Sequence, residues 1–139
     1  METPIEPRAA VIAGGRRFRG RAGDAAWLVS VIANEGVTHV IHAGESWADT
    51  FAEQVLLPSV RVVLVRVARA RERLGRRSAR RNVYDMAGVA AALTAPTQAP
   101  LCIAFVGGDH TRDTVEACVA HGFELRTREA SLQKLGKSA

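Results

Sequence analysis

Three times along this chain a short apolar run passes into a glycine-bearing loop and then into a segment with helical spacing. That repetition constrains the fold more than any other feature. Ala9 to Ala13 runs into Gly14-Gly15, Val37 to Ile41 leads through His42 to Ala43-Gly44, and Leu101 to Val106 ends at Gly107-Gly108. Runs this short and this continuously apolar read as strands buried on both faces, with glycine punctuating their ends.

The segments between them fill in an alternating order. Asp24 is expected to cap a helix with apolar positions at Ala25, Leu28, Val29, Val31 and Ile32, and Gly36 supplies a left-handed stop. A second helix runs from about Trp47 to Leu57 and is closed by Pro58, which cannot continue a helix cheaply. Val60 to Val67, the most β-branched segment, is a further strand with Arg61 and Arg66 near its ends. A helix over about Ser78 to Leu93 and a proline-punctuated loop from Thr94 to Pro100 follow. Thr111 to His121 is a helix stopped by Gly122, Phe123 to Thr127 is a fifth strand, and residues 131–139 carry no pattern and are expected to fray. Strands that are continuously apolar and alternate with helices imply a parallel sheet covered on both faces. The fold class is therefore α/β, a Rossmann-like three-layer sandwich with a mainly parallel sheet.

Length and composition agree with one such unit. At 139 residues, 47% hydrophobic and 24% charged, the chain fits a single globular domain over residues 1–139, with a core at about 8–127 and a tail at 128–139. The longest apolar runs fall far short of the roughly 20 residues of a membrane helix. The start, Met1-Glu2-Thr3-Pro4-Ile5-Glu6, is acidic where a secretory signal is basic and then apolar, so a cytoplasmic location is expected. Cys102 and Cys118 have no CxxC spacing and no histidine at ligand spacing; they read as reduced core thiols, and no metal site is expected.

Charge is uneven. Residues 61–81 hold nine arginines against Glu72, a segment of +8 in a chain whose total is +5. Arg16, Arg17, Arg19 and Arg21 form a second basic cluster. Such patches suit a phosphate-bearing partner, a nucleotide or a nucleic-acid backbone, and equally a solvated arginine face.

In a doubly wound sheet the strand C-termini share one edge and ligands bind where the strand order reverses, so the three glycine loops should converge there. Glycine lets backbone N–H groups approach an anion closely, and a helix N-terminus adds partial positive charge. Gly14, Gly15, Gly44, Gly107 and Gly108 are the candidate loop residues, although none completes a G-x-G-x-x-G or P-loop pattern. Arg16 offers a planar fork suited to phosphate. Ser46 and Asp49 fit either a variant capping box or recognition of a ribose or base. Thr111 either caps the last helix or binds phosphate. Arg81 and Asn82 start a helix beside the crevice, where contact with a ligand and simple solvation are both open readings. His42 lies nearer the strand's C-terminal end than His39 and is the better pocket candidate.

Four segments in order carry a resemblance: Val11-Ile12-Ala13-Gly14-Gly15-Arg16-Arg17-Phe18, His42-Ala43-Gly44-Glu45-Ser46-Trp47-Ala48-Asp49, Arg81-Asn82 with Met86, and Phe105-Val106-Gly107-Gly108-Asp109-His110-Thr111. Over about residues 8–127 the chain resembles the YspA/YpsA-related branch of the SLOG superfamily, a group common in bacteria and their phages. Its pattern is GGRxF, GGARGAD, RNxxM and FPGGxGT. The resemblance implies a sheet order of 3-2-1-4-5 and a nucleotide or ADP-ribose-like ligand. This sequence departs from the pattern: Ser46 stands for the family arginine, Trp47 and His110 stand for glycines, Val106 stands for the proline before the glycine pair, and the Arg81-Asn82 to Met86 spacing is one residue longer. Trp47 would narrow the pocket or stack on a base. Phosphoribohydrolases of the same superfamily read PGGxGTxxE, and the glutamate that assists N-glycosidic cleavage falls on Thr114 here, so no catalytic residue is assigned. Asp113 lies one position off, about 100° around a helix.

The leading expectation is a protein that binds a nucleotide-type small molecule as sensor or sequestering protein, with no further cofactor assigned. Alternatives are a single-stranded nucleic-acid-binding protein and an N-glycosidase or phosphoribohydrolase. Single-strand binders use several stacking platforms; of four Phe, two Trp and one Tyr, only Trp47 and Tyr84 lie near the basic segments. No membrane partner is expected. A homodimer is expected through the helix bearing Val83, Met86, Ala87, Val89, Ala90 and Leu93, whose apolar surface looks broader than one sheet contact requires.

Overall fold

The sheet has its most apolar strand at its centre. In the computed structural model of the chain, which describes residues 6–15, 18–42, 47–59, 62–66, 78–105 and 107–128, the elements alternate strictly. They are β1 (Ala9–Ala13), α1 (Ala22–Asn34), β2 (His39–His42), α2 (Trp47–Ser59), β3 (Val63–Arg66), α3 (Ser78–Ala92), β4 (Leu101–Ala104), α4 (Asp109–Ala120) and β5 (Glu124–Thr127). The strands lie in the order β3-β2-β1-β4-β5. All four pairings are parallel, with Val11 opposite Ile41 on one side and Cys102 on the other. The expected order holds, and the described sheet is wholly parallel.

The two-residue period of a strand sends alternate side chains to opposite faces. Ala10, Ile12, Val40, Leu101 and Ile103 meet Leu28 and Ile32 of α1 and Phe51, Ala52 and Leu56 of α2. Ala9, Val11, Ala13, Ile41, Cys102 and Ala104 meet Met86, Ala87 and Ala90 of α3 and Cys118 of α4. Every residue of β1 is buried, as a central strand covered on both faces requires. Each fully buried Leu or Ile here contributes roughly 1.5–3 kcal/mol. The described part of the apolar stripe of α3 is used within the chain: Met86, Ala87 and Ala90 face the sheet, Val89 and Leu93 pack beside them, and Gly88, Ala91 and Ala92 are exposed, while the side chain of Val83 lies outside the described residues. The breadth of that stripe therefore no longer argues for an outside partner.

Several boundaries move, for identifiable reasons. Val37 and Phe123, expected as first residues of strands, donate their N–H groups back to Ile32 and Cys118 at 3.1 and 3.0 Å. Each follows a glycine with positive φ, 64° at Gly36 and 85° at Gly122. This is the Schellman arrangement, in which the second residue past the helix end bonds back to its last turn and packs an apolar side chain there. Asp24 is not the N-cap of α1. Arg21 holds that position, and Asp24, at the third helical residue, reaches back to accept the Arg21 backbone N–H at 3.0 Å. α4 likewise begins at Asp109 after Gly108, so Thr111 lies inside its first turn and does not cap it. α2 continues one residue beyond Pro58; a proline forfeits one ladder bond, which the last turn of a helix tolerates better than its middle. β3 spans Val63–Arg66; Val62, expected in it, precedes it, and Val60, Arg61 and Val67 lie outside the described residues.

Candidate functional site

β1 connects outward to β2 on one side and pairs with β4 on the other, so the strand order reverses between β1 and β4. Ligands of open α/β sheets bind at the carboxyl ends of strands at such a point. The loops after these two strands are Gly14-Gly15 and Gly107-Gly108. The ladder runs one step past the strands, through the Phe105 N–H donated to Ala13 O at 2.8 Å. It brings the two glycine pairs side by side. A Cβ built on Gly107 would collide with Thr111 Oγ1 and would lie 2.6 Å from the Gly15 amide nitrogen. Only glycine fits at that contact, so the pair closes on Thr111 from above β4.

Among the described residues, two polar atoms at this end of the sheet are buried without a hydrogen-bond partner: Thr111 Oγ1 and His42 Nδ1. Thr111 is 7% exposed and His42 2%. Leaving such a group desolvated and unpaired costs about 1–3 kcal/mol, and buried polar groups in native proteins are nearly always paired. His42 ends β2, and its other ring nitrogen, Nε2, lies 3.5 Å from a carboxylate oxygen of Glu53 on α2.

The two helix N-termini that open at this edge differ. Asp24 neutralises the start of α1 and also accepts Arg128 Nε at 2.9 Å, while the Arg128 guanidinium lies over the Trp27 ring, 6.0 Å from its centroid. At α4 the N-cap is Gly108, with no side-chain capping bond. Gly108 thus supplies no side chain to the first-turn N–H groups of α4, and the side chain of Asp109, its first residue, lies outside the described residues.

Beneath the loops sits an aromatic cluster that the sequence reading did not assign. Phe18 packs against Phe51 and Phe105 with ring centroids 5.5 and 4.7 Å apart, and Phe105 also meets Trp27 and Phe51 edge-on. A side chain at Gly20 would strike the Phe51 ring. The cluster fixes the base of the β1–α1 loop. Four aromatic residues are thereby committed to the interior, and Phe123 is a fifth.

Gly14, Gly15, Gly107, Gly108, Thr111 and His42 thus come to one edge, with Gly14 buried and Gly107 and Gly108 exposed. Arg16, Gly44 and Ser46 lie outside the described residues, as do most of the arginine-rich segment and the side chains of Trp47, Asp49, Arg81, Asn82, Tyr84 and His110. Thr114 is buried one turn after Thr111, and Asp113 is exposed. His39 sits at the opposite end of β2, its Nδ1 2.7 Å from Thr38 Oγ1. Cys102 and Cys118 are free and buried on facing elements; the contact with Cys118, together with burial, pushes the Cys102 thiol above its ordinary range, so it stays protonated and inert. Among the described residues no group of three His, Cys, Asp or Glu side chains is placed to hold a metal, and no helix is long and apolar enough to cross a membrane.

No family model, curated protein or solved structure matches this chain.

Proposed function

We propose that the chain binds a nucleotide or nucleotide-derived, ADP-ribose-like molecule at the β1–β4 crevice, as a sensor or sequestering protein of SLOG type. The observation that carries this reading is Thr111 Oγ1, buried in the first turn of α4 with no hydrogen-bond partner among the described residues and packed against Gly107, which itself lies beside the Gly15 amide. A hydroxyl, a glycine loop and a helix N-terminus whose N-cap is Gly108 together suit a phosphate group. The ordered motifs of the sequence support the same reading, and Arg16 would add the cation.

The alternatives draw less support. Single-strand binding needs exposed stacking platforms, and five of the seven aromatic residues belong to the interior packing. Hydrolysis would need Asp109 or Asp113 to stand in for the glutamate that falls on Thr114; Asp113 lies on the exposed side of α4, and the Asp109 side chain lies outside the described residues. Self-association as a homodimer draws no support from the described face of α3; a sedimentation-equilibrium mass near 14.9 kDa at micromolar protein would remove it. The test of the main reading is mass spectrometry of small molecules released when the purified protein is denatured. A nucleotide released in near-stoichiometric amount is the expected result. Its absence, together with no heat of binding for AMP or ADP-ribose, would overturn the reading.

A further inference from the structure

The two unpartnered atoms lie on opposite sides of the sheet. His42 is two residues beyond Val40 in β2, so its side chain leaves the same face as Val40, the face covered by α1 and α2. Thr111 belongs to α4, which packs on the other face through Cys118. Both sit at the C-terminal edge, and the switch point between β1 and β4 lies beside them. A free phosphate is too small to satisfy both. A ligand that does so has to cross the edge of the sheet and present different chemistry at its two ends.

The residues state which chemistry each end requires. Thr111, in the first turn of α4, suits an anion. His42 differs because Glu53 stands 3.5 Å from Nε2. In the neutral ring a carboxylate there favours the tautomer with hydrogen on Nε2, which leaves Nδ1 as an acceptor. A buried acceptor calls for a donor.

Resting on the nucleotide reading above, we propose that His42 determines specificity: the ligand straddles the sheet edge as a nucleoside phosphate, its phosphate on the Thr111 side and a sugar hydroxyl or base amine donating to His42 Nδ1. Glu53 acts through His42 as a positioning residue.

The experiment compares inorganic phosphate, AMP, 2′,3′-dideoxy-AMP and inosine monophosphate by calorimetry against wild type, His42→Phe, His42→Asn, His42→Gln and Thr111→Val. His42→Phe should lower the ratio of AMP to phosphate affinity about tenfold, the scale of one lost hydrogen bond, and Thr111→Val should weaken both ligands together. Asparagine places an amide oxygen near the position of Nδ1 and should keep the ratio; glutamine reaches the Nε2 position and should lose it. That pair carries the test if the phenylalanine variant does not fold, as judged by thermal melting. Loss of affinity for dideoxy-AMP assigns the donor to the sugar, and loss for inosine monophosphate assigns it to the base amine. A ratio unchanged across all three His42 variants overturns the inference while leaving the nucleotide reading standing, provided Thr111→Val still weakens AMP. If wild type binds none of phosphate, AMP and ADP-ribose and releases no nucleotide on denaturation, both fall.

Discussion

The two ends of this sheet treat polar groups in opposite ways. At the N-terminal end, just before β1, the Arg8 side chain is buried and held by four hydrogen bonds. It donates to the backbone oxygens of Ala99 and Glu35 at 2.8 and 3.0 Å, and to the carboxylates of Glu35 and Glu124 at 3.1 and 2.8 Å. Arg126 closes the network through Glu35 at 2.7 Å and Glu124 at 3.2 Å. At the C-terminal end two buried polar atoms have nothing to bond. The lesson is a division of labour within one sheet: one edge is locked by complete satisfaction, and the other carries unsatisfied groups that a ligand can complete.

The strongest way to break this comparison is to open the locked edge. Arg8→Met should destabilise the protein by about 2–4 kcal/mol, because it leaves the Ala99 and Glu35 carbonyls without their donor and removes one partner of two partly exposed carboxylates, while nucleotide affinity of the folded fraction stays near wild type; chemical denaturation and calorimetry measure the two separately. Arg16→Ala should do the reverse, weakening a nucleotide by roughly 1.5–3 kcal/mol, the scale of a charge-assisted hydrogen bond, at unchanged melting temperature. Equal affinity by calorimetry would remove Arg16 from the site.

Acid sharpens the contrast without mutation. The hydrogen bond from Arg126, joined by the charges of Arg126 and Arg8 and opposed by burial, holds the Glu35 carboxyl below its ordinary value of 4.5. A lowered carboxylate stabilises the fold above its unfolded pKa and loses that contribution as pH falls through the folded value. Stability should therefore drop as pH is taken below about 4.5, and Glu35→Gln should be flatter over that window in denaturation midpoints. A variant as acid-sensitive as wild type would place the sensitivity elsewhere. The smallest effect is the most telling: Thr111→Val removes an unpartnered hydroxyl at nearly constant shape and should raise stability by about 1 kcal/mol while it weakens the ligand. A loss of stability would mean that the hydroxyl has a partner in solution.

The fold was more legible than the site because the two rest on different signals. Continuous apolar strands such as Leu101 to Phe105, set between helical spacings, leave little choice but a covered parallel sheet. The positions of Val37 and Phe123 were misplaced by local chemistry: an apolar residue after a glycine looks like the start of a strand, yet its N–H belongs to the helix behind it. Gly107 and Thr111 were legible from glycine after a strand and a hydroxyl near a helix start. Their contact was not, since it depends on where β1 places Gly15. Arg8 escaped notice for the same reason. Its acceptors lie 27, 91 and 116 residues away, and no local spacing announces them. The Phe18, Trp27, Phe51 and Phe105 cluster likewise joins three separate segments.

The pairing of β1 with β4 has a consequence for synthesis. Ala10 waits for Leu101, about ninety residues later in the chain, whereas its other neighbour, Val40, emerges early. At translation rates of about 5–20 residues per second, β1 spends seconds with one hydrogen-bonding edge uncovered, a template for pairing with other nascent chains. A chain interrupted before residue 101 keeps that edge permanently and never forms the crevice. Ligand binding would then report that synthesis has passed β4 and the first turn of α4, since the late pairing of β1 with β4 creates the site.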